Sequence, residues 1–148
     1  LIRLSMGYPD HRSQINILRD RHSENPLDRV QPVVTKDELL QLIQEARTVE
    51  ANDRIFDYVT TLAEATRTHP MVELGVSPRG ALALCRMAKA HAFLAGRDFV
   101  VPEDVAAVFP DVCAHRLILS AKARMMEEKA ENILAEILKS VDMPVLKA

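Results

Sequence analysis

Apolar positions recur along this chain at the three- and four-residue spacing that is typical of amphipathic helices. Six segments have this spacing and are predicted to be helical: residues 10–21, 35 to about 46, 53–68, 77–95, 102 onwards and 127–139. Gly96 is expected to end the fourth helix, and Pro110 is expected to break or kink the fifth. The pattern therefore predicts an all-α helical bundle.

The second helix has the clearest start signal. Thr35 and Glu38 have the spacing of a capping box, and Val34 and Leu39 occupy the two positions of a hydrophobic staple. The apolar stripes of three helices predict much of the core: Leu39, Leu40, Ile43 and Ala46 in the second, Ile55, Phe56, Val59, Leu62 and Ala63 in the third, and Ile133, Leu134, Ile137 and Leu138 in the last.

Three segments do not have a helical period. Residues 1–6 alternate between apolar and polar side chains, which predicts a short strand, and no other segment offers it a partner. Residues 22–34 contain two prolines and are predicted to be an extended connection. Residues 99–101 are also predicted to be extended. The fold class is thus all-α with a short orphan N-terminal strand.

Composition agrees with a soluble helical protein. Hydrophobic residues make up 48% of the chain and charged residues 27%, while glycine occurs only 4 times. The formal net charge of −2 disfavours a nucleic-acid-binding role, because phosphate contacts normally require an excess of basic residues. The chain has no apolar run of membrane-spanning length and no signal-peptide pattern, so a cytoplasmic protein is expected.

The cysteines and histidines do not form a metal-site pattern. Cys85 and Cys113 are too few for a disulfide framework and are interpreted as buried core thiols. Cys113 and His115 are two candidate ligands without a second pair nearby, and the other histidines lack a zinc-binding spacing. No metal site is predicted.

One segment has the glycine spacing of a phosphate loop, from Gly75 to Gly80. Ala81 and Leu82 stand where such a loop needs a lysine and a hydroxyl residue, so this segment lacks the contacts to the outer phosphates and to magnesium. No other segment supplies a phosphate loop. The chain therefore lacks the machinery of nucleotide hydrolysis.

The same segment offers a different kind of anion site. Ser77 and Pro78 are a cap and a first helical residue, which places Arg79 in the first turn. A cation at the positive end of the helix dipole is unfavourable unless an anion is near, and a phosphate would be bound by the guanidinium, the Ser77 hydroxyl and free backbone N–H groups. From the residues alone, a solvated Arg79 on the bundle surface is the favoured alternative.

An ordered set of short motifs resembles the C-terminal part of MoxR-family AAA+ ATPases and covers nearly the whole chain. The motifs are Gly7-Tyr8-Pro9, Asn25-Pro26-Leu27, Gln31-Pro32-Val33-Val34, Thr66-Arg67-Thr68-His69-Pro70, Gly75-Val76-Ser77-Pro78-Arg79-Gly80-Ala81, Gly96-Arg97-Asp98, Pro102-Glu103-Asp104-Val105 and Ala114-His115-Arg116-Leu117. Val101, where relatives usually have a capping threonine, and Ala121-Lys122, where a proline turn is common, depart from the family pattern.

The resemblance assigns roles to particular residues. It implies that Arg79 is the sensor 2 arginine, a catalytic group that reaches the γ-phosphate of ATP held by the core, and this reverses the preference for a solvated side chain. Ser77 and Gly80 belong to the same nucleotide-binding turn, and Tyr8 and Pro9 resemble the core–lid junction near the adenine. ATP and Mg²⁺ are the cofactors implied for the full-length protein, with none bound by this chain alone.

The resemblance also implies a domain division and partners. Residues 1–35 correspond to the end of the AAA+ core, with its final strand, a helix and a linker, and residues 36–148 to the helical lid. The nucleotide-binding motifs would precede Leu1. The implied partners are the protein's own core, neighbouring subunits of a hexameric, chaperone-like ring, and a protein with a von Willebrand factor A domain. A free-standing helical protein-interaction module is the alternative.

Residues 1–148 are expected not to hydrolyse ATP by themselves, because they contain no phosphate loop. The measurement is phosphate release from ATP and Mg²⁺ by the purified chain. Specific hydrolysis that follows this chain through purification would contradict the expectation.

Overall fold

The computed structural model describes residues 1–21 and 25–145. Within these ranges the chain forms seven α-helices: α1 (His11–Asp20), α2 (Lys36–Thr48), α3 (Asp53–Thr68), α4 (Pro78–Leu94), α5 (Pro102–Cys113), α6 (Ala121–Met125) and α7 (Ala130–Ser140). It also forms two short strands, β1 (Val72–Leu74) and β2 (Ile118–Leu119), and two 3-10 turns (Pro26–Arg29 and Ala114–Arg116). The all-α fold class is confirmed.

The chain divides into two compact units, one of residues 4–42 and one of residues 1–3 with 43–148. The smaller unit contains α1, which Asp10 caps by accepting a hydrogen bond from the Ser13 N–H at 2.8 Å. No residue of α1 is buried. In the part of the chain that the structure describes, no helix combines the length and apolarity needed to cross a membrane.

The core of the larger unit lies between α3, α4, α5 and α7. Helices α4 and α5 have the most extensive contact. The largest fully buried apolar side chains come from all four helices: Ile55 and Leu62 of α3, Leu84 of α4, Phe109 of α5, and Ile133 and Leu134 of α7. Burial of such side chains supplies about 1.5–3 kcal/mol each, so this core is the main source of stability.

Two strand pairings close the edges of the bundle. Strands β1 and β2 are antiparallel, with Val72 opposite Leu119. A parallel bridge joins Glu50, just before α3, to Phe99 in the connection between α4 and α5. Residues 99–101 are therefore extended, as predicted, but β1 and β2 were not predicted because strands of two or three residues are too short to show a period.

The predicted helix starts are largely confirmed because they depend on local hydrogen bonds. The Glu38 N–H donates to the Thr35 hydroxyl at 3.2 Å, and the Thr35 N–H donates to the Glu38 carboxylate at 2.7 Å. The Thr35 N–H and the Thr35 hydroxyl both donate to the Glu38 carboxylate, and these two bonds hold the pKa of Glu38 below its usual value. Asn52 caps α3 and Ser77 caps α4. Gly96, at φ +73°, follows the end of α4.

Two predictions for the non-helical segments were wrong. Residues 1–6 form no strand, because no strand among the described residues lies beside them. Their one backbone hydrogen bond within the described chain joins the Arg3 N–H to the carbonyl of Asp111 in helix α5, at 3.0 Å. Residues 26–29 form a 3-10 turn and are not extended, because Asn25 accepts a hydrogen bond from the Leu27 N–H and so starts the turn. The rest of the predicted connection includes residues 22–24, which lie outside the described residues.

The predicted buried stripe of α2 was also wrong. Leu39, Leu40 and Ile43 are between 41% and 49% exposed, and α2 has no buried residue. Periodicity identifies the apolar face of a helix but not whether another element covers it. In α3 the stripe is buried as predicted except for Phe56, which is 45% exposed.

The last third of the chain differs from the prediction at two helix boundaries. Helix α5 is not broken at Pro110 and continues to Cys113, where burial of Val112 and Cys113 compensates for the hydrogen bond that proline cannot donate. The final helix begins at Ala130 and not at residue 127, because Glu127 has φ +54° and ends the turn after α6.

A buried carboxylate joins the two helices that form the largest contact. Asp104, in the first turn of α5, is 1% exposed and accepts hydrogen bonds from Arg97, from the Val101 N–H at 2.8 Å and from His91 at 2.7 Å. Burial by itself would raise the pKa of Asp104, but the hydrogen bonds from Arg97, Val101 and His91 outweigh it and hold the pKa below its ordinary value. Asp104 thus fixes the α4–α5 connection, and it also binds the Val101 N–H at a cap position whose side chain has no acceptor.

The substitution Asp104→Asn is expected to lower the free energy of unfolding by about 3 kcal/mol at neutral pH. It removes the buried charge that pairs with Arg97, and because the Arg97 side chain is partly exposed, the loss lies at the low end of the range for broken buried pairs. Urea denaturation of both proteins measures the difference, with the exposed Asp98→Asn as the matched control.

The pH dependence provides a second readout. Because the folded-state pKa of Asp104 lies below the ordinary value of 3.8, its charge stabilises the fold above that pH, and this contribution is lost as the pH falls through the folded-state pKa. The difference in the free energy of unfolding between the wild-type protein and Asp104→Asn should therefore become smaller below about pH 4. A difference that does not change with pH would count against this assignment.

Candidate functional site

The first turn of α4 is built by a serine cap and a proline. The Ser77 hydroxyl accepts a hydrogen bond from the Gly80 N–H at 3.2 Å, and the Ala81 N–H donates to the Ser77 carbonyl. Pro78 has no N–H. The N–H of Arg79 is consequently the free backbone donor of this turn among the described residues, and the Ser77 hydroxyl keeps its own proton available for donation.

Gly80 is where the turn packs against its surroundings. A Cβ atom at this position would lie 2.7 Å from Cγ1 of Val76 and 3.3 Å from Cδ of Arg116. The glycine therefore lets both of these side chains contact the helix backbone. This packing brings Arg116, from the turn after α5, to the start of α4.

An open cleft of about 1080 Å³ lies at this end of α4. Its charged lining consists of four arginines and one glutamate: Arg67 from α3, Arg79 and Arg86 from α4, Arg116 from the turn after α5, and Glu73 from β1. Glu73 is the one acidic side chain among the described lining residues, and its carboxylate also lies 3.7 Å from Arg124, which is outside the cleft. Little negative charge therefore remains to balance the four arginines. The cleft is strongly basic although the chain as a whole carries a net charge of −2.

The four arginines differ in their partners. The Arg67 Nε donates to the Val76 carbonyl at 2.8 Å, and Arg116 donates to the Val112 carbonyl. Arg79 and Arg86 make no hydrogen bond or ion pair with any described residue, and both side chains are exposed. Seven residues separate them, so they lie two turns apart on one face of α4, roughly 10 Å along the helix.

This arrangement is suited to an anion. The positive end of the helix dipole, a free N–H and two unpaired guanidinium groups all favour negative charge, and guanidinium groups bind phosphate oxygens in a bidentate manner. The donor set does not suit a metal ion, since the cleft offers a single carboxylate. Across residues 1–21 and 25–145, no three metal-ligating side chains lie together.

The other residues singled out in the sequence lie elsewhere. Tyr8 and Pro9 belong to the unit of residues 4–42, where both are exposed. Cys113 is buried, which raises the pKa of its thiol to about 12. Cys85 is only partly buried, contrary to the prediction, and lines a second groove beside α4. Neither thiol forms a disulfide.

Three arginines of the cleft were not predicted to take part in the site. Arg86 had a usable signal, because a seven-residue spacing from Arg79 places both on one helix face. Arg67 and Arg116 had no such signal, since only the packing of α3 and of the turn after α5 against α4 brings them there.

Comparison with known proteins identifies the fold. The family model of the AAA lid domain matches residues 64–137, which is half of the chain. The uncharacterised protein YeaC of Bacillus subtilis is 36% identical over 148 residues, which are all of this chain and 46% of YeaC. Chaperone MoxR1 of Mycobacterium tuberculosis is 29% identical over 157 residues, which cover all of this chain and 41% of MoxR1.

A solved structure has the same architecture. It is the crystal structure of a candidate ATPase from Cytophaga hutchinsonii, which is 29% identical and superimposes with a TM-score of 0.86 over 97% of this chain and 46% of its own length. The chain thus spans slightly less than half the length of the proteins that it matches. On these matches and on its helical architecture, the chain belongs to the AAA lid domain family and is a MoxR-like AAA+ lid region.

Proposed function

We propose that this lid supplies Arg79 as the sensor 2 arginine to ATP bound by the core of the same full-length ATPase. The observation that carries the proposal is the state of that side chain. Arg79 is exposed in the first turn of α4, has no partner among the described residues, and lines a cleft with three further arginines. A cation at the positive end of a helix dipole is unfavourable, and a bound anion reverses that effect.

Each residue of the turn would have a separate role in binding the phosphate. The Arg79 guanidinium donates to oxygens of the terminal phosphate and stabilises the charge that develops during transfer. The Ser77 hydroxyl and the Arg79 N–H are further donors, and Gly80 keeps the turn free of a side chain that would displace Arg116. Tyr8 and Pro9 would lie near the adenine at the core–lid junction.

The rest of the machinery is expected from the core. ATP provides the phosphoryl group, and Mg²⁺ and the phosphate loop belong to the nucleotide-binding domain, because this cleft has one carboxylate and no such loop. In this proposal residues 1–35 end the core and residues 36–148 form the lid, whose position follows the nucleotide state. The assembly would be a hexameric, chaperone-like ring without a nucleic-acid ligand, and it would act with a von Willebrand factor A domain protein. MoxR1, a relative, is named a chaperone.

The substitution Arg79→Ala in the full-length ATPase is expected to lower ATP turnover by about 10- to 100-fold, the equivalent of one lost charge-assisted hydrogen bond in the transition state. Arg79→Lys should recover only part of the rate, because lysine keeps the charge but not the bidentate geometry. Steady-state phosphate release measures the effect, and the melting temperature should not change because Arg79 has no structural partner.

The matched control is Arg47→Ala, which removes an exposed arginine at the end of α2, outside the basic cleft. Its turnover should equal that of the wild-type protein. Wild-type turnover in Arg79→Ala would instead leave this arginine as a surface side chain and favour a protein-interaction module.

A further inference from the structure

The loop before α4 is fixed to α3 through a single residue, Val76. The Val76 N–H donates to the Thr66 hydroxyl at 2.8 Å, and that hydroxyl donates to the Ala63 carbonyl at 2.6 Å. The Val76 carbonyl accepts a hydrogen bond from the Arg67 Nε at 2.8 Å. Both backbone polar groups of Val76 are thus held by consecutive residues of α3.

These bonds lie in the interior. Thr66 and Val76 are both 0% exposed, so water cannot replace the Thr66 hydroxyl if it is removed. Thr66 is the one buried polar residue besides Asp104 among the described residues. A buried N–H without an acceptor is costly, and the local backbone is expected to move to find another partner.

The chain reaches this position because of Gly75. A Cβ atom on Gly75 would lie 2.7 Å from both the N and the Cα atoms of Arg67, which are backbone atoms and cannot move aside. Only glycine permits this approach of the loop to α3. The short distance between the loop and α3 is what allows the Thr66 hydroxyl to reach Val76.

Val76 is also directly coupled to the first turn of α4. It precedes the cap Ser77, and its Cγ1 atom lies 2.7 Å from the place of a Cβ on Gly80. A displacement of Val76 therefore moves the cap and the turn from which Arg79 projects. Displacements of about 1 Å at a reacting group reduce rates by up to roughly 100-fold.

We infer that Thr66 is a positioning residue, whose buried hydroxyl holds Val76 and thereby sets where the Arg79 guanidinium meets its phosphate. The inference rests on the proposed role of Arg79 and adds to it a residue that does not line the cleft. Thr66 acts through the backbone and does not contact the nucleotide.

The test replaces Thr66 by valine, which has nearly the same shape, in the full-length ATPase. We expect kcat to fall roughly tenfold with little change in KM, because the phosphate-contacting group is displaced while most ATP contacts lie in the core. Thr66→Ser, which keeps the hydroxyl, should restore the rate. The matched control is Thr68→Val on the same helix, because the Thr68 hydroxyl donates only to carbonyls of its own helix; its kcat should equal the wild-type value.

A double variant separates positioning from loss of stability. In the Arg79→Ala background, Thr66→Val should cause no further loss of kcat, since there is no guanidinium left to place. An equal fold-loss in both backgrounds would show a purely structural role and overturn the inference. All assays are run well below the lowest melting temperature of the set, and Thr66→Ala replaces Thr66→Val if the latter does not fold.

The two proposals fail in different ways. Wild-type turnover in Arg79→Ala overturns the proposed function itself. Reduced turnover in Arg79→Ala with wild-type turnover in a folded Thr66→Val overturns only the positioning role.

Discussion

One buried hydroxyl, that of Thr66, connects helix α3 to the loop that starts α4. It accepts from the Val76 N–H and donates to the Ala63 carbonyl, so both of its hydrogen-bonding functions are used in the interior. This interaction needs Gly75, because any side chain there would collide with the backbone of α3. In the positioning role inferred for Thr66, the first turn of α4 and the Arg79 that projects from it take their place from this attachment.

The basic cleft forms where α3 and the turn after α5 pack against α4. Arg67 and Arg116 donate hydrogen bonds to nearby backbone carbonyls. Arg79 and Arg86 have no partner among the described residues. The positive charge of this cleft is a local feature. The net charge of the whole chain, −2, does not reveal it. In the proposed function, the guanidinium groups and the helix N-terminus would bind the anion together, since neither alone is specific.

Predictions from the sequence succeeded where the deciding interaction is local. Caps join residues three positions apart, so Thr35 with Glu38 and Ser77 with Gly80 could be identified from spacing alone. The predictions from the sequence were wrong where the outcome depends on which other element packs against a helix. The apolar face of α2 is clear in the sequence but is not buried, and Pro110 does not break α5 because the buried residues after it hold the helix. The strands β1 and β2 exist only because they pair with each other.

The sequence by itself determined the helical class, most helix starts and the place of Arg79 in the first turn of α4, because these depend on contacts within a few residues. The tertiary structure alone decided that Arg67 and Arg116 join Arg79 in one cleft and that Thr66 holds Val76. Thr66 and Val76 are 10 positions apart in the sequence, and Arg67 and Arg116 are 49 positions apart. The hydrophobic pattern of a sequence does not encode which elements so far apart pack together. Hydrogen bonds to backbone groups across elements, and the close approach permitted by one glycine, are consequences of packing.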